Sequence, residues 1–275
     1  MPKSKLSPSP SQADLADRHR LYEASVQDPE SELEFVSETF AERVGRPLKQ
    51  LREDFCGTAH TAAHWVKLDA THYAIGVDLD GEVLNWGRQH HLAALTPAQQ
   101  ARIELIEGDV LSASAPAADA ILGMNFSYYL FKTRDQLRTY FRRARENLVD
   151  DGLLFLDAFG GYEAHREIEE RTEHDGFTYV WDQAKFDPIT HDMTCMIHFE
   201  FDDGSEMKEA FTYHWRLWTL PEIKELLLEA GFARVTIYWE GTDEDNNEGN
   251  GIYSPAEHGE ADAGWISYLV AEKQI

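Results

Sequence analysis

Three short segments of acidic and small residues could together hold a nucleoside-containing ligand. They are Glu53-Asp54-Phe55-Cys56-Gly57-Thr58-Ala59, Gly76-Val77-Asp78-Leu79-Asp80 and Glu107-Gly108-Asp109-Val110. Each lies at the end of an apolar run that predicts a strand. The small residues of the first segment form a tight turn before a helix, where a ligand can approach the main chain closely. An acid at the end of the next strand can accept hydrogen bonds from both ribose hydroxyls, and Asp109 is within reach of a bound base.

This set resembles the class I methyltransferases that use S-adenosylmethionine (SAM), whose first motif commonly reads as an acidic residue followed by x-G-C-G-T-G. The resemblance covers roughly residues 48–160 and the final strands. It implies that Glu53 faces the methionine part of SAM, Asp78 binds the ribose and Asp109 bonds the adenine amino group. The further cofactor contacts that we predict are Cys56, Gly57, Thr58, Ala59, Leu79, Val110, Asn125 and, from the N-terminal helices, Tyr22.

Two residues depart from that motif. Phe55 stands where the first glycine is usual and Ala59 where the last is usual. Both are bulkier than glycine, which predicts a shifted turn. A dinucleotide-binding Rossmann domain is the alternative, but its turn reads G-x-G-x-x-G, whereas residues 54–59 contain a single glycine.

The segment after the fourth predicted strand is where the acceptor is expected. In this fold the end of that strand faces the methyl group. Asn125 and Tyr128 match the two ends of the (Asn/Asp)-Pro-Pro-(Tyr/Phe) motif of amine-methylating relatives, although both prolines are missing. We therefore predict both as catalytic residues, with Tyr128 also touching the substrate. The alternative stays open that Asn125 caps a helix or bonds the backbone and that Tyr128 belongs to the core.

Aromatic residues beside acids suggest how a cationic substrate could be held. Trp181-Asp182 and Trp239-Glu240 each join a ring to a carboxylate, which suits an ammonium group. Arg216 could hold an acidic group of the substrate, or pair with a nearby carboxylate. Alternating aromatic residues also pack the core face of a sheet, so packing competes with binding. The candidate bases are His198, His214, Asp182 and Glu240.

The composition limits the partners. The chain has 50 acidic and 25 basic residues and a net charge of −25, which disfavours a nucleic-acid substrate and attracts cations. Cys56 and Cys195 form no disulfide or metal pattern, and no apolar run reaches bilayer length. The N-terminus lacks the apolar core of a signal peptide. These features predict a cytoplasmic protein without a membrane or metal partner. Asp243, Asp245 and Asn247 begin like a calcium loop, but Glu248 and Ser254 break the pattern.

The remaining sequence predicts the elements that position these residues. We expect a disordered tail over 1–11, N-terminal helices over 12–46 and a SAM-binding α/β core over 47–175. A β lid of three antiparallel strands is expected over 176–218, followed by a return to the core over 219–275 with an acidic loop at 240–264. Strands that alternate with helices predict a doubly wound, seven-stranded α/β sheet, and the family resemblance implies that its final strand is reversed.

The function predicted from these features is methyl transfer from SAM to a small molecule, with an amine nitrogen favoured. The alternatives are a protein or tRNA methyltransferase and a SAM-binding regulator that has lost catalysis. The sequence leaves the acceptor, the attacking atom and the oligomeric state open.

Overall fold

The computed structural model describes residues 9–243 and 249–274. Its helices are α1 Gln12–Leu15, α2 Arg18–Val26, α3 Pro29–Val44, α4 His60–Leu68, α5 Gly81–His90, α6 Pro97–Gln100, α7 Arg134–Glu146 and α8 Leu220–Glu229. Its strands are β1 Gln50–Asp54, β2 Tyr73–Asp78, β3 Ile103–Glu107, β4 Ala118–Gly123, β5 Leu148–Gly160, β6 Ile168–His174, β7 Phe177–Phe186, β8 Asp192–Phe201, β9 Glu206–Arg216, β10 Arg234–Thr242, β11 Gly249–Ala256 and β12 Trp265–Glu272.

The chain divides into two compact units. The inserted unit contains α1, α2 and His165–Trp215, and the core unit contains Asp28–Ala164 and the chain from Arg216 onward. Helices α1 and α2 therefore belong with the inserted strands, whereas α3 belongs with the core, so the predicted helical stretch 12–46 is divided between the two units.

Eight strands of the described residues form the sheet of the core unit, in the order β11-β10-β12-β5-β4-β1-β2-β3. The pairs β1–β2, β1–β4, β2–β3 and β4–β5 are parallel. Strand β12 is antiparallel to both β5 and β10. The predicted doubly wound sheet with a reversed final strand is thereby confirmed, and β11 extends it at one edge.

Amphipathic helices cover this sheet. Helix α7 begins at the predicted capping box of Thr133 and Gln136, and α8 begins at that of Thr219 and Glu222. Their buried stripes are Leu137, Tyr140, Phe141 and Ala144 on α7 and Ile223, Leu226 and Leu227 on α8. The capping boxes satisfy main-chain N–H groups at each helix start, so short sequence patterns determine where these helices begin.

The N-terminal part differs from the single helix that the sequence predicts between Ser11 and about Ser25. The capping box of Ser11 and Asp14 is present, but α1 ends at Ala16, which is extended with φ −74° and ψ 143°. Asp17 then accepts hydrogen bonds from His19 N and Arg20 N and starts α2. A second N-cap residue so close to the first ends one helix and begins another.

Four strands of the described part of the inserted unit form an antiparallel sheet, in the order β6-β7-β8-β9. The sequence predicts three strands and misses β6. Residues 169–173 of β6 are polar and exposed, so they lack the apolar alternation that reveals a half-buried strand. Charged residues of this kind are typical of edge strands, which they protect from pairing with other chains.

The prediction that residues 240–264 form an acidic loop is wrong in part. Strand β10 continues to Thr242, and β11 pairs with it antiparallel, with Glu240 opposite Tyr253. The side chains of β11 are largely exposed, so main-chain pairing at a sheet edge forms this strand without an apolar pattern. Asp245, Asn247 and Glu248 of the rejected calcium loop, and residues 1–8 of the predicted tail, lie outside the described residues.

The described ranges contain no helix long and apolar enough to cross a bilayer. They also contain no group of three or more His, Cys, Asp or Glu side chains arranged to hold a metal ion.

Candidate functional site

The turn between β1 and α4 keeps the conformation of a glycine-rich motif although it contains one glycine. Phe55, Gly57 and Ala59 have φ values of 60°, 52° and 57°. These are the three positions at which the methyltransferase motif places glycine, and each adopts the left-handed conformation that glycine adopts without strain. Phe55 and Ala59 therefore replace glycine in sequence while retaining its backbone conformation.

Glu53 caps the helix that follows this turn. Ala59, the N-cap residue of α4, offers no side-chain hydrogen bond, and Glu53 Oε2 instead accepts one from Ala62 N at 3.1 Å. Burial, followed by the charge of Glu32, raises the pKa of Glu53 well above its usual range. A buried acid at a helix N-terminus is suited to a ligand that carries a positive charge.

Helix α5 packs closely against the turn because Gly87 has no side chain. A Cβ atom at Gly87 would lie 2.1 Å from the main-chain oxygen of Thr58. Thr58 is buried, and so is Cys56. Burial raises the pKa of the Cys56 thiol well above its usual value, so this cysteine acts as a small turn residue and not as a nucleophile.

Main-chain hydrogen bonds join the three predicted cofactor segments into one edge of the sheet. Cys56 N donates to Val77 O at 3.0 Å, and Gly108 N donates to Asp78 O at 2.8 Å. The carboxylate of Asp78 accepts Gly57 N at 2.8 Å through Oδ2 and Asp80 N at 2.9 Å through Oδ1. Asp78 is half-buried at the end of β2, so the predicted ribose-binding acid also fixes the first turn.

The outer part of this edge presents the side chains expected around a base. Leu79 is 75% exposed, whereas Val110 is buried. Asp109 is exposed, and its Oδ1 accepts Leu111 N at 2.9 Å. The exposed side chain of Leu79 can therefore pack on an aromatic base, while the carboxylate of Asp109 bonds the polar atoms of that base.

The turn after β4 separates the two predicted catalytic residues. Asn125 is half-buried, and its side chain makes no hydrogen bond to any residue that the structure describes. Tyr128 is fully buried, and its hydroxyl donates to the main-chain oxygen of Asp157 at 2.6 Å. The prediction of Tyr128 as a catalytic and substrate-binding residue is therefore corrected, because a fully enclosed ring has no surface to offer a substrate.

Asp157, at the carboxyl end of β5, is a site residue that the sequence analysis missed. Its carboxylate accepts Asn125 N at 2.7 Å and Phe126 N at 2.9 Å. Burial raises its pKa to about 7. The signal was available, since an acid follows the apolar run Leu153-Leu154-Phe155-Leu156 of a buried strand, and a buried acid requires partners.

Three acids and three aromatic residues surround the same part of the core unit, and we name them the acid–aromatic cluster: Glu32, Phe35, Asp157, Glu240, Tyr253 and Tyr268. The ring of Tyr268 lies 4.6 Å from that of Phe35 and 4.4 Å from that of Tyr253, between centroids. Tyr268 stands opposite Asp157 in the sheet. Burial, and then the charge of Asp157, raises the pKa of Glu32 to about 8. The cluster thus brings three carboxyl groups together with three aromatic rings.

The predicted pairs of a tryptophan with the following acid do not form, because neighbouring residues of a strand point to opposite faces. Trp239 packs against Trp265 at 5.1 Å between ring centroids, and it lines a groove beside Leu220 and Lys224 of α8. Glu240 accepts Gly251 N at 2.8 Å on the other face.

The other predicted pair is also separated by strand alternation. Trp181 packs near Tyr213 and Trp215, while Asp182 faces His198. No ring–carboxylate pair of the predicted kind is therefore formed in β7.

Arg216 is engaged by residues of the core unit, and its contact with the substrate stays a prediction. Its guanidinium lies 3.7 Å from the centroid of the Trp218 ring. It donates to Glu222 at 2.8 Å and to Lys132 O at 3.2 Å. The alternative that Arg216 pairs with a nearby carboxylate is the one that the structure supports.

Both ring nitrogens of His198 have partners. Its Nδ1 accepts Glu209 N at 2.8 Å, and its Nε2 lies 3.4 Å from Asp182 Oδ2. His214 is exposed, with Nδ1 3.4 Å from Thr194 Oγ1.

Tyr22 lies in the inserted unit, where its ring is 5.0 Å from that of Phe211 between centroids. Trp181 lies in the same unit. The contacts of Tyr22 with SAM and of Trp181 with the substrate, and the lid function of the inserted strands, stay predictions.

The curated protein and the solved structures to which this chain is similar are named as methyltransferases. No protein-family model matches the chain. It is 23% identical over 221 residues to a protein of Geobacillus sp. (strain WCH70) that is named as a methyltransferase, which covers 78% of this chain and 86% of that one.

Several solved structures share the fold. A SAM-dependent methyltransferase of Clostridium acetobutylicum has a TM-score of 0.66 at 17% identity, covering 92% of this chain and 96% of the other. An amino pentose methyltransferase of Micromonospora echinaspora, solved with SAM bound, has a TM-score of 0.65 at 14% identity and covers 98% and 100%. A sugar N-methyltransferase of a Streptoalloteichus species has a TM-score of 0.63 at 16% identity and covers 100% and 98%. At these identities the likeness establishes the fold, which is the one that the sequence predicted.

Proposed function

We propose that this protein, which has the fold of the class I methyltransferases, transfers a methyl group from SAM to an amine nitrogen of a small molecule. The observation that carries the proposal is the continuous edge formed by the three cofactor segments, with left-handed backbone at all three glycine positions of the first motif. The curated relative and the SAM-bound structural neighbour support the same reaction.

The described residues fit this cofactor. Glu53, buried at the N-terminus of α4 with a raised pKa, would face the ammonium of the methionine part. Asp78 keeps unused lone pairs on both carboxylate oxygens for the ribose hydroxyls. Leu79 would pack on the adenine ring, and Asp109 would accept a hydrogen bond from its amino group.

SAM, when bound, supplies a methyl group already activated by a sulfonium leaving group. The protein therefore has to hold the acceptor in line, exclude water and accept a proton. Asn125, whose side chain makes no hydrogen bond to a described residue, can accept an N–H of the acceptor and so direct the nitrogen lone pair.

The acid–aromatic cluster supports an amine as the acceptor. Carboxylates and aromatic rings attract an ammonium group. Among the described residues, no group of three or more His, Cys, Asp or Glu side chains is arranged to hold a metal ion. An acceptor that arrives as an ammonium ion must lose a proton before its nitrogen attacks. The ionised form of Glu32, whose pKa is raised to about 8, can take that proton. Two structural neighbours are named as an amino pentose methyltransferase and a sugar N-methyltransferase, which agrees with an amine acceptor.

The first experiment is incubation of the purified protein with methyl-labelled SAM and a metabolite extract, in parallel with protein and RNA fractions. We expect label in a low-mass product in which the labelled carbon is bound to nitrogen, as shown by NMR. Label in a macromolecule would refute a small acceptor, and a methyl group on oxygen would refute the amine.

Asp78→Ala tests the cofactor edge directly. Loss of a carboxylate that accepts charge-assisted hydrogen bonds should weaken SAM binding by about 10- to 100-fold in calorimetry. Asp150→Ala is the matched control, because Asp150 is an exposed acid at the start of β5. Equal SAM affinity in both variants would refute the assignment of Asp78.

A further inference from the structure

The turn after β4 is held in a conformation that its sequence does not favour. Asn125 and Phe126 are consecutive non-glycine residues with φ values of 56° and 55°. Left-handed backbone is costly for L-residues with a side chain, and it is normally limited to single residues. Such a conformation persists where the surrounding structure imposes it.

Asp157 and its strand impose it here. The two carboxylate oxygens of Asp157 accept Asn125 N at 2.7 Å and Phe126 N at 2.9 Å. The main-chain oxygen of Asp157 accepts the Tyr128 hydroxyl at 2.6 Å. Two residues further along β5, the ring of Phe159 packs on Phe126 at 4.7 Å between centroids. With 7% of its surface exposed, Asp157 holds the turn in an environment where water does not compete for these bonds.

We propose that Asp157 is a positioning residue for methyl transfer, acting through the main chain that carries Asn125. The inference rests on the proposed function, which places the acceptor at this turn. Because Asp157 is buried and each of its carboxylate oxygens accepts a main-chain N–H of the turn, we assign it the role of fixing Asn125. Loss of the clamp should release the turn from the left-handed region and displace the Asn125 carboxamide.

The chain contains a matched control for this clamp. Asp119 is half-buried near the start of β4, whereas the turn follows the end of that strand. Its Oδ2 likewise accepts two main-chain N–H groups, Lys49 N at 3.1 Å and Gln50 N at 2.9 Å. Asp119 Oδ1 also accepts a hydrogen bond from Arg46 at 2.8 Å. Asp119→Asn therefore perturbs a similar pair of main-chain hydrogen bonds, together with this ion pair, away from the acceptor end of the sheet.

The experiment compares Asp157→Asn and Asp119→Asn in three measurements. These are amide hydrogen exchange at Asn125 and Phe126, the Kd for SAM, and kcat and KM for an amine acceptor found with the wild-type protein. In Asp157→Asn we expect exchange to accelerate by about 10- to 100-fold, the size expected for loss of a hydrogen bond to a charged group. We also expect kcat to fall by about 30-fold while the Kd for SAM changes by less than about threefold. In Asp119→Asn we expect the exchange at Asn125 and Phe126, the Kd for SAM and kcat to stay close to their wild-type values.

Two results with Asp157→Asn would contradict the proposal. Unchanged amide exchange at Asn125 and Phe126 would show that Asp157 does not hold the turn. Accelerated exchange with an unchanged kcat would show that holding the turn does not position the acceptor. If the wild-type protein methylates no acceptor while Asp157→Asn accelerates exchange, the proposed function fails and the clamp stands.

Adding Phe126→Gly to Asp157→Asn provides a second test and guards against a variant that folds poorly. Glycine adopts the left-handed region without a clamp, so the double variant should recover part of the lost kcat. No recovery in a folded double variant would overturn the role.

Discussion

At the scale of the residue, the first motif shows that a turn can keep its conformation after losing its glycines. Phe55 holds φ at 60° while its ring packs 5.4 Å from that of Tyr140 and 6.1 Å from that of Phe131, between centroids. Packing therefore offsets the strain at Phe55. Ala59 has no such ring, and its methyl group is fully buried at the start of α4.

This difference predicts the effect of Ala59→Gly. Relief of left-handed strain gains about 1–2 kcal/mol, while loss of a buried methyl group costs about 0.8 kcal/mol and glycine flexibility costs about 0.5–1 kcal/mol. The free energy of unfolding should therefore change by less than about 1 kcal/mol in urea denaturation.

Ala63→Gly is the control for this prediction. Ala63 is equally buried, and it lies within α4 with ordinary helical backbone. The substitution there should cost about 2 kcal/mol. Equal losses in the two variants would show that Ala59 is not strained.

At the scale of the element, β1 carries a buried ion pair on the face opposite Glu53. Arg52 is fully buried, and its Nε donates to Asp54 Oδ1 at 2.7 Å. The other guanidinium nitrogens, and Asp54 Oδ2, have no hydrogen-bond partner among the described residues. Burial raises the pKa of Asp54, against the opposing effect of Arg52. A buried pair with unpaired atoms contributes little net stability, but either charge left without the other is costly.

We therefore expect Arg52→Met to lower the free energy of unfolding by about 3–5 kcal/mol. The double variant Arg52→Met/Asp54→Leu should be more stable than that single variant, because no isolated charge remains buried. Urea denaturation of the single variants and the double variant measures the coupling. Additive losses would mean that the two side chains do not act as a pair.

At the scale of the whole molecule, the net charge of −25 coexists with carboxyl groups buried near one another in the core unit. The pKa is raised to about 8 at Glu32 and to about 7 at Asp157, in both cases chiefly by burial. Glu53 is shifted in the same direction. These groups hold protons in the native state at a pH at which they have lost them in the unfolded state.

This arrangement gives the pH dependence of stability a definite sign. Where the native state binds more protons than the unfolded state, the free energy of unfolding falls as the pH rises. Between pH 6.5 and 9 we expect a fall of about 2 kcal/mol, after a discount for the partial exposure of Glu32. Chemical denaturation across this range measures it.

Glu32→Gln should flatten that dependence, because glutamine stays neutral throughout. Glu38→Gln, an exposed acid on the same helix α3, should leave the slope as it is in the wild-type protein. A slope that survives Glu32→Gln would assign the dependence to other groups.

The features that depend on local chain geometry could be predicted from the amino-acid sequence. Apolar periodicity predicted the parallel strands and the helices between them, capping boxes such as Thr133 with Gln136 fixed helix starts, and the first motif predicted the cofactor turn. Three segments at successive strand ends were expected to meet because parallel strands align their carboxyl ends. The main-chain hydrogen bonds from Cys56 to Val77 and from Gly108 to Asp78 confirm that they do.

Which distant residues share a face depends on how the strands and helices are arranged in the fold. Glu32 on α3, Asp157 on β5 and Tyr268 on β12 come together through strand order and helix packing, which no local pattern encodes. Trp239 is separated from Glu240, and Trp181 from Asp182, because neighbouring residues of a strand point to opposite faces. Edge strands β6 and β11 escaped prediction because main-chain pairing forms them, and main-chain atoms are the same for every residue.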